Sequence, residues 1–227
     1  MVRTRASRIH VLFAAVAGAL LLACGGGDDT GAAAGEGSGE AAAPSPILDG
    51  PHDVAVLTLK GLGDIEIELL PEVAPKTVDN FIALAEQGFY DGTQFHRVIP
   101  DFMIQGGDPN TKEPDAREYG KGDAGYPIDD EFNAVRHVRG IVSMANSGTP
   151  NSGSCQFFIL HGDAPHLDGR HTAFGRVVAG MDVVDAVTQV PLDTYGRYGP
   201  RDRPYPDPVV IEKVRIERVA EGEAAAG

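Results

Sequence analysis

Tryptophan is absent from this chain of 227 residues, and cysteine occurs only twice, as Cys24 and Cys155. Two widely separated cysteines do not make a disulfide framework. Basic residues are scarce: 19 Lys and Arg stand against 33 Asp and Glu, a formal net charge of −14, and no basic stripe interrupts it. Binding along a phosphate backbone needs clustered Lys and Arg, so no nucleic-acid partner is expected. The apolar run Val11–Leu22 is too short to span a bilayer comfortably. No internal repeat is visible. What remains is ordinary for a globular protein: 42% hydrophobic and 23% charged residues, with 29 Gly and 16 Pro pointing to many turns. The length allows one domain with a sizeable core, or two small ones.

The start of the chain reads as a targeting signal. Arg3, Arg5 and Arg8 precede the apolar run, which ends Leu21-Leu22-Ala23-Cys24. That ending resembles a bacterial lipobox. Residues 1–23 are therefore expected to be a signal peptide and Cys24 a lipidated N-terminus. A plain signal peptide with an incidental cysteine is the bland alternative. Residues 24–52 hold mostly Gly, Ala, Ser, Glu and Asp, too little apolar surface to offset the entropy of ordering, and read as a flexible tether. The folded domain is expected over 53–220, with 221–227 a frayed tail. The expected location is exported, lipid-anchored to the bacterial cell envelope, in the periplasm or on the outer face of the membrane.

Within the domain, Val54–Leu59 and Asp64–Leu69 read as strands joined at Gly61-Leu62-Gly63. Pro75 suits a first helical position, Val78, Phe81, Ile82, Leu84 and Ala85 make an apolar stripe, and Gly88 suits the C-terminal cap. Short apolar runs recur at Phe95–Ile99, Phe102–Gln105, Ile141–Ala145, Gln156–Leu160 and Thr172–Val178, a second helix falls near Met181–Gln189, and Val209–Val219 alternates as a last strand. Many short strands with two helices suggest a mostly-β barrel or sandwich.

Periodicity alone does not name a chemistry. The run Phe95-His96-Arg97-Val98-Ile99-Pro100-Asp101-Phe102-Met103-Ile104-Gln105-Gly106-Gly107-Asp108 closely resembles the signature of cyclophilins. Further blocks follow in that family's order: Ser143-Met144-Ala145-Asn146, then Gln156-Phe157-Phe158-Ile159, then Leu167-Asp168-Gly169-Arg170-His171 with Phe174-Gly175. Ala74–Phe81 resembles the family's first helix. The resemblance covers the whole domain. It implies a closed eight-stranded antiparallel barrel capped by two α-helices, with a peptide groove on the outer face, and a peptidyl-prolyl cis-trans isomerase acting on proline-containing polypeptides. It implies Arg97 as the catalytic residue. Substrate-binding positions are His96, Phe102, Met103, Gln105, Ala145, Asn146, Gln156, Phe158, His166, Leu167 and His171. A monomer with no cofactor and no metal is expected, working on exported proteins.

The residue types suit the reaction. Rotation about an X–Pro bond needs an apolar slot for the ring, a hold on the flanking backbone, and a donor for the lone pair that appears on the prolyl nitrogen. Arg97 is permanently charged and carries five donors. Taken singly, Phe102, Met103 and Phe158 would be core residues, Arg97 a surface residue and His171 a packed histidine; the ordered blocks change that reading. The main rival is a non-catalytic peptide-binding or chaperone module on the same fold. Asn151-Ser152-Gly153-Ser154-Cys155 superficially resembles a protease nucleophile segment, but none of His96, His137, His161, His166 or His171 sits in those families' local patterns. The five-residue spacing of His161, His166 and His171 suits no metal set.

Three departures stand out. His166 occupies the position of the family's frequent tryptophan, which implies weak cyclosporin binding. The Ser147–Cys155 segment is one residue longer than usual, which bears on the residue preceding proline. Cys155 reads as a small buried hydrophobe, with redox sensing the minor alternative. The Pro191–Pro208 loop sets Tyr195, Tyr198 and Tyr205 beside Arg197, Arg201 and Arg203, either a packed connector or a surface that selects clients.

Overall fold

The computed structural model describes residues 52–219. The signal peptide, Cys24, nearly all of the tether and the 221–227 tail lie outside the described residues. The first strand, β1, spans His52–Leu59 and so takes in His52, which the sequence assigned to the tether. It continues into β2 (Gly63–Leu69), then helix α1 (Pro75–Glu86). Strands β3 (Gln94–Phe95), β4 (Arg97–Ile99) and β5 (Met103–Gly106) follow. After a long irregular stretch come β6 (Ile141–Met144), β7 (Phe157–Leu160), β8 (Ala173–Ala179) and helix α2 (Met181–Thr188). A short hairpin of β9 (Leu192–Asp193) and β10 (Arg203–Pro204) precedes β11 (Val209–Val219).

The main sheet runs β3-β11-β1-β2-β8-β6-β7-β5-β4, with every pairing antiparallel. Its two ends, β3 and β4, are the halves of one continuous segment separated only by His96. One half pairs with β11 and the other with β5, so residues 94–99 close the ring. Counted as one strand, they make the eight-stranded antiparallel barrel.

Alternation along the strands sends successive side chains to opposite faces. Val98, Ile104, Ile159 and Val142 lie opposite one another across β4, β5, β7 and β6 and belong to the large buried core. Their neighbours point outward. Arg97, Gln105, Phe158 and Ser143 form one outward row, and Ile99, Met103 and Leu160 another. Met103, Phe158 and Leu160 anchor a second, separate apolar cluster. A barrel with a filled interior therefore carries a second patch of buried hydrophobics on its outer wall.

Both helices pack against the main core. In α1, Phe81 meets Tyr90, Phe157 and Phe174 at ring separations of 5.0, 5.5 and 5.3 Å. Gly88 ends this helix as the sequence suggests: at φ 68° its N–H donates to Ala85 O, while Phe89 N–H donates to Leu84 O at 3.0 Å. The other end has no capping side chain of its own. The Glu131 carboxylate, from the irregular stretch, accepts hydrogen bonds from the N–H groups of Lys76 and Thr77 and from the Thr77 hydroxyl.

Candidate active site

The groove is built on β4, β5, β6 and β7 and on the loops that leave them. Arg97 is exposed on β4, directly opposite Gln105 on β5. Gln105 in turn faces Phe158 on β7, and its Nε2 donates to Gln156 Oε1 at 3.0 Å. Gln156 is itself fixed, donating to Gly122 O at 2.8 Å. Two glutamine side chains are thus tied into a hydrogen-bonded floor beside the guanidinium.

The apolar wall stands next to it. Met103 and Phe158 are buried; Phe102, Leu167 and Ala145 are half-buried and pack on the same cluster. His166 is exposed and lies over Phe102 at 5.6 Å. His171 meets the Phe158 ring edge to face at 5.3 Å, and its Nδ1 lies 3.1 Å from Met144 O.

Asn146 ties two loops together: Nδ2 donates to Arg170 O at 2.9 Å, and Oδ1 accepts from Gly148 N–H at 3.0 Å. It also lines two cavities. One, of about 490 Å³, includes His166, Leu167, His171 and Phe132. The other, of about 240 Å³, includes Gln105, Ala145, Gln156 and Lys121.

Among the sequence-named groove residues, His96 is the one polar side chain that is buried. His96 is only 2% exposed, and its Nε2 lies near Gly120, which lines the cavity that holds Gln105 and Gln156. His96 falls at the break between β3 and β4, where Phe95 turns into the main core and Arg97 to the outside, and its own ring is buried. Burial holds its pKa below the ordinary imidazole value.

Beneath Phe158 lies an arrangement that sequence spacing did not disclose. Ser143 Oγ is 2.9 Å from His137 Nε2, and His137 Nδ1 is 2.9 Å from Asp168 Oδ1. These are the contacts of a nucleophilic triad, but Ser143 has no exposed surface and sits in the strand interior of β6. A buried hydroxyl facing Phe158 and Ala173 offers no approach to a substrate carbonyl. The chain is a brace: Asp168 also accepts the His137 N–H at 2.8 Å, fixing the 165–168 turn to β6. Desolvation dominates at His137 and lowers its pKa, although Asp168 pulls the other way. Cys155 has no exposure, and burial pushes its thiol up to about 12, where it is inert.

Residues 54–216 match the family described as cyclophilin type peptidyl-prolyl cis-trans isomerase/CLD. The chain belongs to the cyclophilin-type peptidyl-prolyl cis-trans isomerases. It is 46% identical over 162 residues to the peptidyl-prolyl cis-trans isomerase ppi1 of Schizosaccharomyces pombe, covering 68% of this chain and 94% of that protein. It is 45% identical over 142 residues to a probable peptidyl-prolyl cis-trans isomerase of Brucella suis, covering 60% of this chain and 72% of that one. The fold is similar to a cyclophilin type isomerase from Cryptosporidium parvum, with a TM-score of 0.64 and 32% identity over 73% of this chain and 98% of that one. The same Cryptosporidium protein in the presence of the dipeptide Ala-Pro matches with a TM-score of 0.63. As a cyclophilin, the chain catalyses X–Pro isomerisation. The outer-wall groove is the place in the described residues that combines a free cation, a glutamine floor and an apolar notch.

Proposed function

We propose that Arg97 lowers the rotation barrier directly, and that the second apolar cluster receives the prolyl ring. An X–Pro amide turns over a barrier of roughly 20 kcal/mol because its resonance must break. In the twisted state the prolyl nitrogen is pyramidal and gains a lone pair. A guanidinium that donates to that lone pair is attracted more strongly to the twisted state than to the planar one, which is what raises the rate. No proton leaves the enzyme and no covalent bond forms. Phe102, Met103, Phe158 and Leu167 enclose the ring, Gln105 holds the flanking carbonyl, and the main chain at Ala145 and Asn146 aligns the rest.

The observation that carries this reading is the register of one outward row, in which exposed Arg97 and half-buried Gln105 stand beside buried Phe158. The deciding experiment follows cis-to-trans relaxation of an Ala-Pro-Phe test peptide with the full chain, wild type against R97A. The wild type accelerates relaxation and the variant loses most of the effect. Undiminished activity in R97A would remove Arg97 from the mechanism.

We further infer that the enzyme serves exported polypeptides from a lipid tether at Cys24. The support is the order Arg3, Arg5, Arg8, apolar run and Leu21-Leu22-Ala23-Cys24 in the sequence. No helix among the described residues is long and apolar enough to cross a membrane. Uncatalysed prolyl steps take tens of seconds, slow enough to limit refolding after export. Growth with an alkyne fatty acid should label the wild type and leave C24A unlabelled; equal labelling would overturn the anchor.

A further inference from the structure

A cavity of about 740 Å³ lies beyond the catalytic groove, between the 114–121 segment and the tip of the 196–200 loop. It is joined to the groove twice. Lys121 lines both this cavity and the one that holds Gln105 and Gln156. The loop is also fastened to the strand of the arginine, since Val98 N–H donates to Asp202 O at 2.8 Å.

The cavity wall is built rather than loose. Tyr198 and Tyr205 stack at 4.3 Å with 8° between their planes. The Arg203 guanidinium lies over Tyr205 at 5.3 Å and over Tyr119 at 5.8 Å. The Asp193 carboxylate accepts the Tyr198 N–H at 2.7 Å and holds the loop from below. Such a stack keeps its shape without a ligand, which reduces what ordering would cost on binding.

Its charge is opposite to that of the chain. The lining cations are Arg117, Lys121 and Arg197, and the one lining carboxylate, Asp115, is bound to Arg117 at 2.6 Å. Lys121 reaches Glu118 at 3.2 Å, while Arg197 lies over the ring of Tyr195, which is 77% exposed. On a protein of formal charge −14, this corner is where a negatively charged chain is drawn in rather than repelled. Exposed Tyr and Arg are also the side chains that carry interface energy.

We propose that this cavity is an exosite for an acidic segment of the same polypeptide whose X–Pro bond lies in the groove; the proposal rests on the groove being the site of isomerisation. An acidic segment held there raises the local concentration of the neighbouring proline. Because the exosite touches nothing that twists, it strengthens ground and transition states alike and acts on KM, not on kcat. The substrate class is therefore proline-containing clients with a nearby run of Asp or Glu.

The experiment uses the full chain and an Ala-Ala-Pro-Phe core joined through a Gly-Ser spacer to a Glu tail or a matched Gln tail, in two series with the tail before or after the core. In wild type the Glu tail lowers KM about fivefold in at least one series, with kcat unchanged, and the gain fades in 0.5 M salt. In R117A/R197A the Glu and Gln peptides become equal. Equal KM for both tails in wild type, or a Glu preference that survives R117A/R197A, would overturn the exosite. Failure to accelerate the untailed core is a separate result that would overturn the groove reading instead.

Discussion

Arg97 and Gln105 face each other across the β4–β5 ladder, and Gln105 is pinned from its far side by Gln156 at 3.0 Å. The cation and its glutamine neighbour are thus set by strand register, not by loop conformation. R97A should lower kcat/KM about 100-fold, the usual cost of one preorganised donor. Because Arg97 is exposed, its thermal melting point should stay within a few degrees of wild type. Q105A should instead act mainly through KM, since a backbone hold serves both planar and twisted states. The two variants are compared by relaxation kinetics at several peptide concentrations.

The α1 N-terminus depends on a residue more than fifty positions away. Glu131 accepts from two N–H groups at the helix start, where a negative charge also meets the positive end of the helix dipole. E131A should cost about 1–2 kcal/mol in urea unfolding, and E131Q, which keeps an acceptor but loses the charge, should cost less. An E131A curve that overlays wild type would show the contact to be idle.

Most of the barrel was legible because its strands alternate cleanly and its turns carry Gly. Pro75 and Gly88 marked the first helix to within a residue at its start and its cap. The groove residues were legible only through the resemblance: nothing in the spacing of Phe157 and Phe158 says which faces the lumen until register assigns one to each cluster. The burial of His96 beside exposed Arg97 was not legible either. His96 falls between β3 and β4, where the chain passes from pairing with β11 to pairing with β5, and no sequence pattern marks that break. The Ser143–His137–Asp168 chain and the Glu131 cap were not legible at all. Each joins residues by tertiary approach alone, without a motif of fixed spacing.

His166 lies over Phe102 at the exposed rim, at the position where the family often has tryptophan. An imidazole covers less apolar surface than an indole and offers less to a hydrophobic macrocycle. Cyclosporin should bind weakly, and H166W should tighten it about tenfold or more while isomerisation of a short peptide changes little. Calorimetric titration of both forms checks this; nanomolar binding by the wild type would contradict it.

Acid should weaken the fold before it disturbs exposed carboxylates. Burial keeps the pKa values of His137 and His96 below the ordinary 6.5. In the unfolded chain both rings titrate near that ordinary value, so as pH falls through about 6.5 the unfolded state takes up protons that the folded state does not. The stability is fully present at higher pH and is lost progressively below about 6.5, down to the folded values. Asp168, whose pKa lies below 3.8 on balance because the His137 N–H and ring outweigh its own desolvation, adds a loss of the same sign in a lower window. Urea unfolding free energies should therefore be flat from pH 8 to 7 and decline toward pH 5. Ring proton shifts should place the His137 midpoint below 6.5. A midpoint at or above 6.5 would mean that the Asp168 contact outweighs burial, and the acid-side decline would then have to come from other groups.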